Sequence, residues 1–335
     1  MSGPSICIAG AGSIGCFVGG MMRAAGRPVS LLARPGLIDD IQAHGLKVTD
    51  FSGIEHKLSA GELMLSADPS ILASADIVLV TVKSDDTTAM ADLIARHAQP
   101  HVTIVSLQNG VGNVPVLRAR LPGRTVLAGM VPFNVIALGD GHFHRATSGD
   151  ILMEKDNSGV AARISVPGLQ IRPTDNMIGV QWGKLLLNLN NALNALSGLP
   201  LRDQLAQRAW RTLFADQMRE ALAAIRAEGI VPVASTPLPA GLTPYILKLP
   251  DFAFRVVAAP MVKIDPKARS SMWEDLQRGR RTEIDHLQGL IVALADKHGL
   301  KAPLSAATVA LIRKAEQVGA GSPGLTPDMV RAAVT

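Results

Sequence analysis

The sequence predicts an α/β N-terminal domain built on a parallel sheet, followed by a mainly α-helical C-terminal domain. Three observations predict it. From Ser5 to about Leu107, short runs rich in Ile, Val and Leu alternate with helix-like segments. Those runs are continuously apolar, as strands buried on both faces of a parallel sheet are. From Asn176 onward the pattern changes to long helical periodicities. The boundary is drawn near Pro173, giving domains of residues 1–173 and 174–335.

Strands are expected at Ser5–Ala9, Pro28–Leu32, Ile77–Val82 and Val102–Leu107. Between the first two, Ile14, Phe17, Val18, Met21 and Met22 recur at helical spacing until Gly26 and Pro28 end the pattern, which makes a βαβ unit. After residue 123 the segments are shorter and more polar, with Gly139, Gly141 and Gly149, and read as the tail of the same domain. Helices are expected over Ile178–Leu196, Leu205–Glu228 and Thr282–His298, the last two followed by glycine. Pro232–Pro266 is punctuated by proline and glycine with little periodicity and reads as a loop-rich connection. No internal repeat or low-complexity tract stands out.

Composition narrows the function classes. Of 335 residues, 47% are hydrophobic and 18% charged, the balance of a globular protein. No run of 18 or more apolar residues occurs, and Met1-Ser2-Gly3-Pro4 leads into an apolar run and then glycines, so neither a membrane span nor a signal peptide is expected. Cys7 and Cys16 are the two cysteines, which fits a reduced, cytoplasmic protein. The net charge of +5 is scattered and aromatics make up only 3%, which argues against nucleic acid as a partner and suits an anionic small molecule.

Gly10-Ala11-Gly12-Ser13-Ile14-Gly15 is G-x-G-x-x-G. Its glycines permit a tight turn, let backbone approach a pyrophosphate, and allow helix and strand to pack closely. Alone the motif is weak in a chain with 31 glycines, and a ligand-free βα turn is the plain alternative. Its context decides for a dinucleotide, because it follows a predicted strand and opens a predicted helix whose N–H groups and dipole suit a diphosphate. At the end of the second strand, where NAD enzymes usually place an acidic residue, stands Ala33-Arg34-Pro35, which favours the extra phosphate of NADP(H). Asp39 or Asp40 reaching a ribose is the alternative.

Lys83 ends the third strand and Gln108-Asn109-Gly110 the fourth, the carboxyl ends at which open α/β sheets bind ligands. A solvated lysine and an ordinary Asn-Gly turn would explain each singly. With the glycine loop and Arg34, however, four strand ends carry groups suited to an anionic cofactor or a polar substrate.

In the helix expected from Ile178, Lys184, Asn188 and Asn191 recur at i, i+4 and i+7 and share one stripe on an otherwise apolar element. Such groups must be paired with one another, with another helix or with a ligand. A polar seam at a domain or dimer contact competes with a lysine poised at a nicotinamide. Ser271-Met272-Trp273-Glu274 fits a capping box with Ser271 as N-cap. Glu283, in Arg281-Thr282-Glu283-Ile284-Asp285, is either a first-turn acid or a functional carboxylate.

Together these residues resemble the ketopantoate reductases (2-dehydropantoate 2-reductases), and the likeness spans most of the chain. It is carried by Gly10–Gly15, Lys83, Gln108-Asn109-Gly110, Trp182-Gly183-Lys184 with Asn188, and Ser270-Ser271-Met272 through Asp275 to Arg281–Asp285. The resemblance implies a Rossmann domain followed by a helical domain, and NADPH-dependent reduction of a C2 ketone to D-pantoate on the way to pantothenate. It makes Lys184 the proton donor, puts Glu283, Asn188 and, by a small rotation, Asn191 on the substrate's hydroxyl end, and gives its carboxylate to Ser271. Lys83 and Asn109 would line the cleft, and Arg34 would face the 2′-phosphate. Ala192 and Ala268 stand where the family commonly has asparagines. That keeps a reductase of another 2-oxo acid as a second reading, with a non-catalytic NADP(H) sensor as a third and a homodimer as a conceivable assembly. An ammonium near C2 stabilises the developing alkoxide, and a free lysine at about 10.4 must be lowered by burial, against an adjacent Glu283, to act near neutrality.

Overall fold

The computed structural model describes residues 3–234, 239–257 and 268–334. The chain forms two compact units, Met1–Met177 and Ile178–Thr335, dividing a few residues beyond Pro173.

Unit 1 begins β1 (Ile6–Ala9), α1 (Ser13–Ala24) and β2 (Val29–Leu32), the expected βαβ unit. Next come α2 (Pro35–His44), β3 (Leu46–Asp50), β4 (Glu55–Leu58), β5 (Met64–Ser66) and β6 (Ile77–Val80). Then follow α3 (Thr87–His97), β7 (Thr103–Ser106), α4 (Asn113–Arg120), β8 (Thr125–Met130), β9 (Val135–Gly139), β10 (His142–Arg145), β11 (Ile151–Glu154), α5 (Val160–Ile164) and β12 (Ile171–Thr174). The large sheet runs β5-β2-β1-β6-β7-β8 in parallel, the strand order of a dinucleotide-binding sheet. β11 then joins β8 antiparallel, and β12 pairs parallel with β11. The four continuously apolar runs are the four central strands, and β1, β2 and β6 are buried at every position.

The stretch after residue 123, read as a polar tail, instead contributes strands to two sheets, since β9 and β10 join β3 and β4 in a second sheet of order β4-β3-β10-β9. This small sheet packs on α1. At its junction the buried Asp50 carboxylate accepts from the Ser52 and Ile54 N–H groups and from Arg145 at 3.2 Å. The Arg145 guanidinium lies 5.2–5.8 Å from the rings of Phe17, Phe51 and Phe133. Helix α1 is thereby held between two sheets, with Phe17, Val18, Met21 and Met22 fully buried.

Unit 2 is helical: α6 (Met177–Asn188), α7 (Asn190–Ser197), α8 (Leu201–Ala206), α9 (Arg208–Ala227), α10 (Thr243–Leu247), α11 (Asp251–Val257), α12 (Ser271–Gln277), α13 (Gln288–Lys297), α14 (Pro303–Val318) and α15 (Pro327–Ala332). The periodicities overran three real interruptions, at Leu189, at Gln207, and between Glu283 and Gln288, where a 3₁₀ turn covers Ile284–His286. The connection expected to be loop-rich contains α10 and α11, and its residues 235–238 and 258–266 lie outside the described residues. Fully buried Arg211 of α9 organises this region. It donates to the carbonyls of Leu205, Ala206, Leu247 and Leu249 and to Asp251 at 2.7 Å. Among the described residues no helix is long and apolar enough to cross a membrane.

Candidate active site

In unit 1, β2, β1, β6 and β7 are adjacent and parallel, so the glycine loop, Arg34, Lys83 and Gln108-Asn109-Gly110 leave the sheet at one edge. Each glycine of the loop answers a different constraint. Gly10 has φ +94°, and a Cβ there would lie 2.2 Å from Val82 Cγ1. A Cβ on Gly15 would meet Thr81 Oγ1 at 2.7 Å and Ile8 Cγ2 at 2.8 Å, because the helix lies directly on the strands. A Cβ on Gly12 would meet nothing within 4 Å, so the space beside this exposed residue is open to a ligand rather than packed by the protein. Gly12 is also the N-cap of α1 and offers no side-chain hydrogen bond, leaving first-turn N–H groups without intrahelical partners. Ala11 is buried and Ser13 and Ile14 are half-buried. These residues fit a dinucleotide diphosphate.

Arg34 is the N-cap of α2, its side chain 86% exposed and 3.3 Å from Asp86. An exposed pair of this kind is weak, and a 2′-phosphate can take the guanidinium from it. Lys83 precedes a 3₁₀ turn over Ser84–Asp86. Asn109 is exposed, whereas Gln108 is buried and donates to Val82 O at 3.1 Å and Thr87 Oγ1 at 2.7 Å. Thr87 donates to Asn113, whose amide reaches Ser84 Oγ and Asn109 O. This closed network locks the loops after β6 and β7 together. Thr87 and Asn113 went unseen in the sequence because their side-chain partners Gln108, Ser84 and one another lie 21 to 29 residues away.

In unit 2, Lys184 is half-buried on α6, and burial pushes its ammonium down from 10.5 to about 8. Asn188 ends α6, 8% exposed, and its side-chain amide makes no hydrogen bond among the described residues. Asn191 lies beyond the interruption, in α7, half-buried, its side chain likewise without a hydrogen bond among the described residues. The expected single stripe is therefore carried by two helices. Leu189 keeps helical φ −58° and ψ −28°, but its carbonyl accepts the amide of fully buried Gln288 at 2.8 Å. That bond ties the Lys184 helix to the start of α13, close in sequence to Glu283, the N-cap of the 3₁₀ turn. Thr282 N donates to Glu316 and Arg313 pairs with Asp285, which anchors both sides of Glu283 on α14.

The capping box at Ser271 is not formed. Ser270 is the N-cap, its Oγ accepting from Trp273 N at 3.2 Å, and Glu274 falls one position too far along to reciprocate. Ser270 prevails because its hydroxyl also donates to Asn191 O at 2.9 Å, bringing α12 to α7. Ser271, released from capping, is exposed in the first turn. Beside Lys184, Gly183 admits a second chain segment. Val233 N donates to Gly179 O at 2.8 Å, and a Cβ on Gly183 would lie 1.7 Å from Val233 O.

A parallel-sheet domain with this glycine loop and a helical domain with a pKa-lowered lysine among amides define a nicotinamide-dependent oxidoreductase. Family models agree: that of the ketopantoate reductase PanE/ApbA matches residues 6–157, and that of its C-terminal domain residues 176–316. The crystal structure of the PanE/ApbA family ketopantoate reductase from Ralstonia eutropha JMP134 is 34% identical, superposes with a TM-score of 0.80, and covers 94% of this chain and 99% of that one. The chain belongs to the ketopantoate reductase family. A 2-dehydropantoate 2-reductase of Halobacterium salinarum is 28% identical over 94% of this chain and 99% of its own length. The ternary structure of D-mandelate dehydrogenase with NADH and anilino(oxo)acetate, at 21% identity and TM-score 0.77 over 94% and 99% of the two chains, shares the fold.

Proposed function

We propose that the protein is an NADPH-dependent 2-dehydropantoate 2-reductase, reducing the C2 ketone of ketopantoate to D-pantoate. The observation that carries this reading is Lys184, an amine that burial brings to about 8, one helical turn before the buried amide of Asn188 on the same helix. Unit 1 takes the cofactor, through Gly10, Ala11, Gly12, Ser13, Ile14 and Gly15 at the diphosphate and Arg34 at the 2′-phosphate, with Lys83 and Asn109 at the nicotinamide end. NADPH supplies the hydride. Lys184, still charged at neutral pH, stabilises the alkoxide developing on the ketone oxygen and gives it a proton from Nζ. Asn188, Asn191 and Glu283 orient the hydroxyl end of the substrate, and Ser271 holds the carboxylate. Cytoplasmic residence, consistent with the free thiols of Cys7 and Cys16, and assembly as a homodimer complete the reading.

A steady-state assay following NADPH absorbance tests reaction, substrate and cofactor together. Turnover of ketopantoate above other 2-oxo acids, and with NADPH above NADH, is the expected result. Faster turnover of another 2-oxo acid would transfer the mechanism to that substrate. Cofactor binding without oxidation by any member of the panel would mean a sensor. Size-exclusion chromatography reports the assembly.

A further inference from the structure

Three buried amides in unit 2 have no place in the chemistry above, yet all of them lead to Ser271. Gln204 of α8 is fully buried and exchanges hydrogen bonds with Asn190, Nε2 to Oδ1 and Nδ2 to Oε1, both at 3.2 Å. Its Oε1 also accepts from Asn194 Nδ2 at 3.1 Å. Asn194, fully buried on α7, donates again to Leu199 O at 2.9 Å, and its Oδ1 accepts from Ser270 N at 2.9 Å. Both amide hydrogens and the carbonyl of Asn194 are thus used, and the last bond holds the residue just before Ser271. An amide fixed on three sides transmits its position, whereas one with a spare donor can rotate.

We propose that Asn194, anchored by Gln204, is a positioning residue for substrate binding. It clamps the first turn of α12 to α7, and so sets where the Ser271 hydroxyl stands relative to the Asn188 and Asn191 amides. The Ser270 hydroxyl on Asn191 O is the second point of the same clamp. Both attachments fall on the N-cap residue, one on its N–H and one on its hydroxyl, and together they fix the point from which a helix only seven residues long starts. The inference rests on the reading of Ser271 as the carboxylate contact. It adds that this contact's geometry is stored in an amide that never touches substrate.

A double-mutant cycle tests it, with KM for ketopantoate, kcat and NADPH affinity measured for the wild type, Asn194→Leu, Ser271→Ala and the double variant. Loss of a hydrogen bond to a carboxylate should raise KM about tenfold or more in Ser271→Ala. Asn194→Leu should raise KM in the same direction, with NADPH affinity unchanged and kcat affected less than KM. The double variant should be no worse than Ser271→Ala alone, because a misplaced serine and an absent one lose the same contact. Multiplying effects would overturn the proposal while leaving the role of Ser271 standing. An unchanged KM in Ser271→Ala would instead remove the reading beneath it. Should Asn194→Leu fail to fold, Gln204→Met takes its place in the cycle, leaving Asn194 present with one of its two donor bonds removed; wild-type KM in that variant overturns the proposal equally.

Discussion

Replacing Lys184 by methionine separates what the ammonium costs the fold from what it does for the reaction. In the unfolded chain the amine titrates near 10.5, and in the folded protein burial lowers it to about 8. Below pH 8 both states carry the proton, but the folded state holds it against desolvation. At about 1.4 kcal/mol per pKa unit, the difference amounts to at most about 3.5 kcal/mol of destabilisation. Between pH 8 and 10.5 the unfolded state binds the additional proton, so wild-type stability rises with pH across that window as the penalty is relieved. Methionine has nearly the same volume and no charge. Urea denaturation should therefore find Lys184→Met about 1–3 kcal/mol more stable at pH 7, with the gap closing toward pH 10.5. In the same variant kcat should fall about 10²- to 10⁴-fold while NADPH affinity holds. Wild-type reduction should decline as pH rises through about 8, where the donor proton is lost. A methionine variant less stable than wild type at pH 7, with an unchanged pH slope, would show that partners rather than burial govern this amine, and retained turnover would remove it from the chemistry.

Gly12→Ala should fold normally, within about 1 kcal/mol of wild type, yet lose NADPH affinity, because its Cβ would meet no protein atom and would project into the space proposed for the diphosphate. Gly10→Ala, at φ +94° and 2.2 Å from Val82, should instead lower stability by about 2 kcal/mol or more in thermal melts. Arg34→Ala should weaken NADPH binding about ten- to a hundredfold and leave NADH binding unchanged, read by fluorescence titration; equal losses would place Arg34 away from the 2′-phosphate. Arg211→Met should destabilise unit 2 by about 3–5 kcal/mol, since it strands four carbonyls and Asp251 around a buried site.

The parts of the molecule legible in the sequence are those where one local rule dominates. Short β-branched-rich apolar runs bounded by glycine, proline or polar residues favour buried strands, so β1, β2, β6 and β7 and the polar residues at their ends were readable. In β3 the inward positions Leu46, Val48 and Asp50 alternate correctly, but the buried carboxylate at the third hides the pattern until Arg145, 95 residues on, supplies its partner. Long-range hydrogen bonds decided the remaining cases. Gln288 marks the interruption at Leu189 from 99 residues away, and Asn191 O settles the choice between two adjacent serines from 79 residues away. Local propensity contains neither fact. Lys184 itself was visible, but its lowered pKa belongs to the packing around it.

The glycines at 179 and 183 put the route of a distant segment into helix α6. Gly179 O accepts from Val233 N, and Val233 O fills the space that a Cβ on Gly183 would take, so the segment lies main chain to main chain on the helix and the crossing depends on the missing side chain at 183. Substitutions along 231–234 that spare the backbone should then be tolerated, while a single methyl at 183 would expel the segment. The position before the lysine thus acts as a steric gatekeeper, with the chain's path, rather than the reaction, demanding glycine.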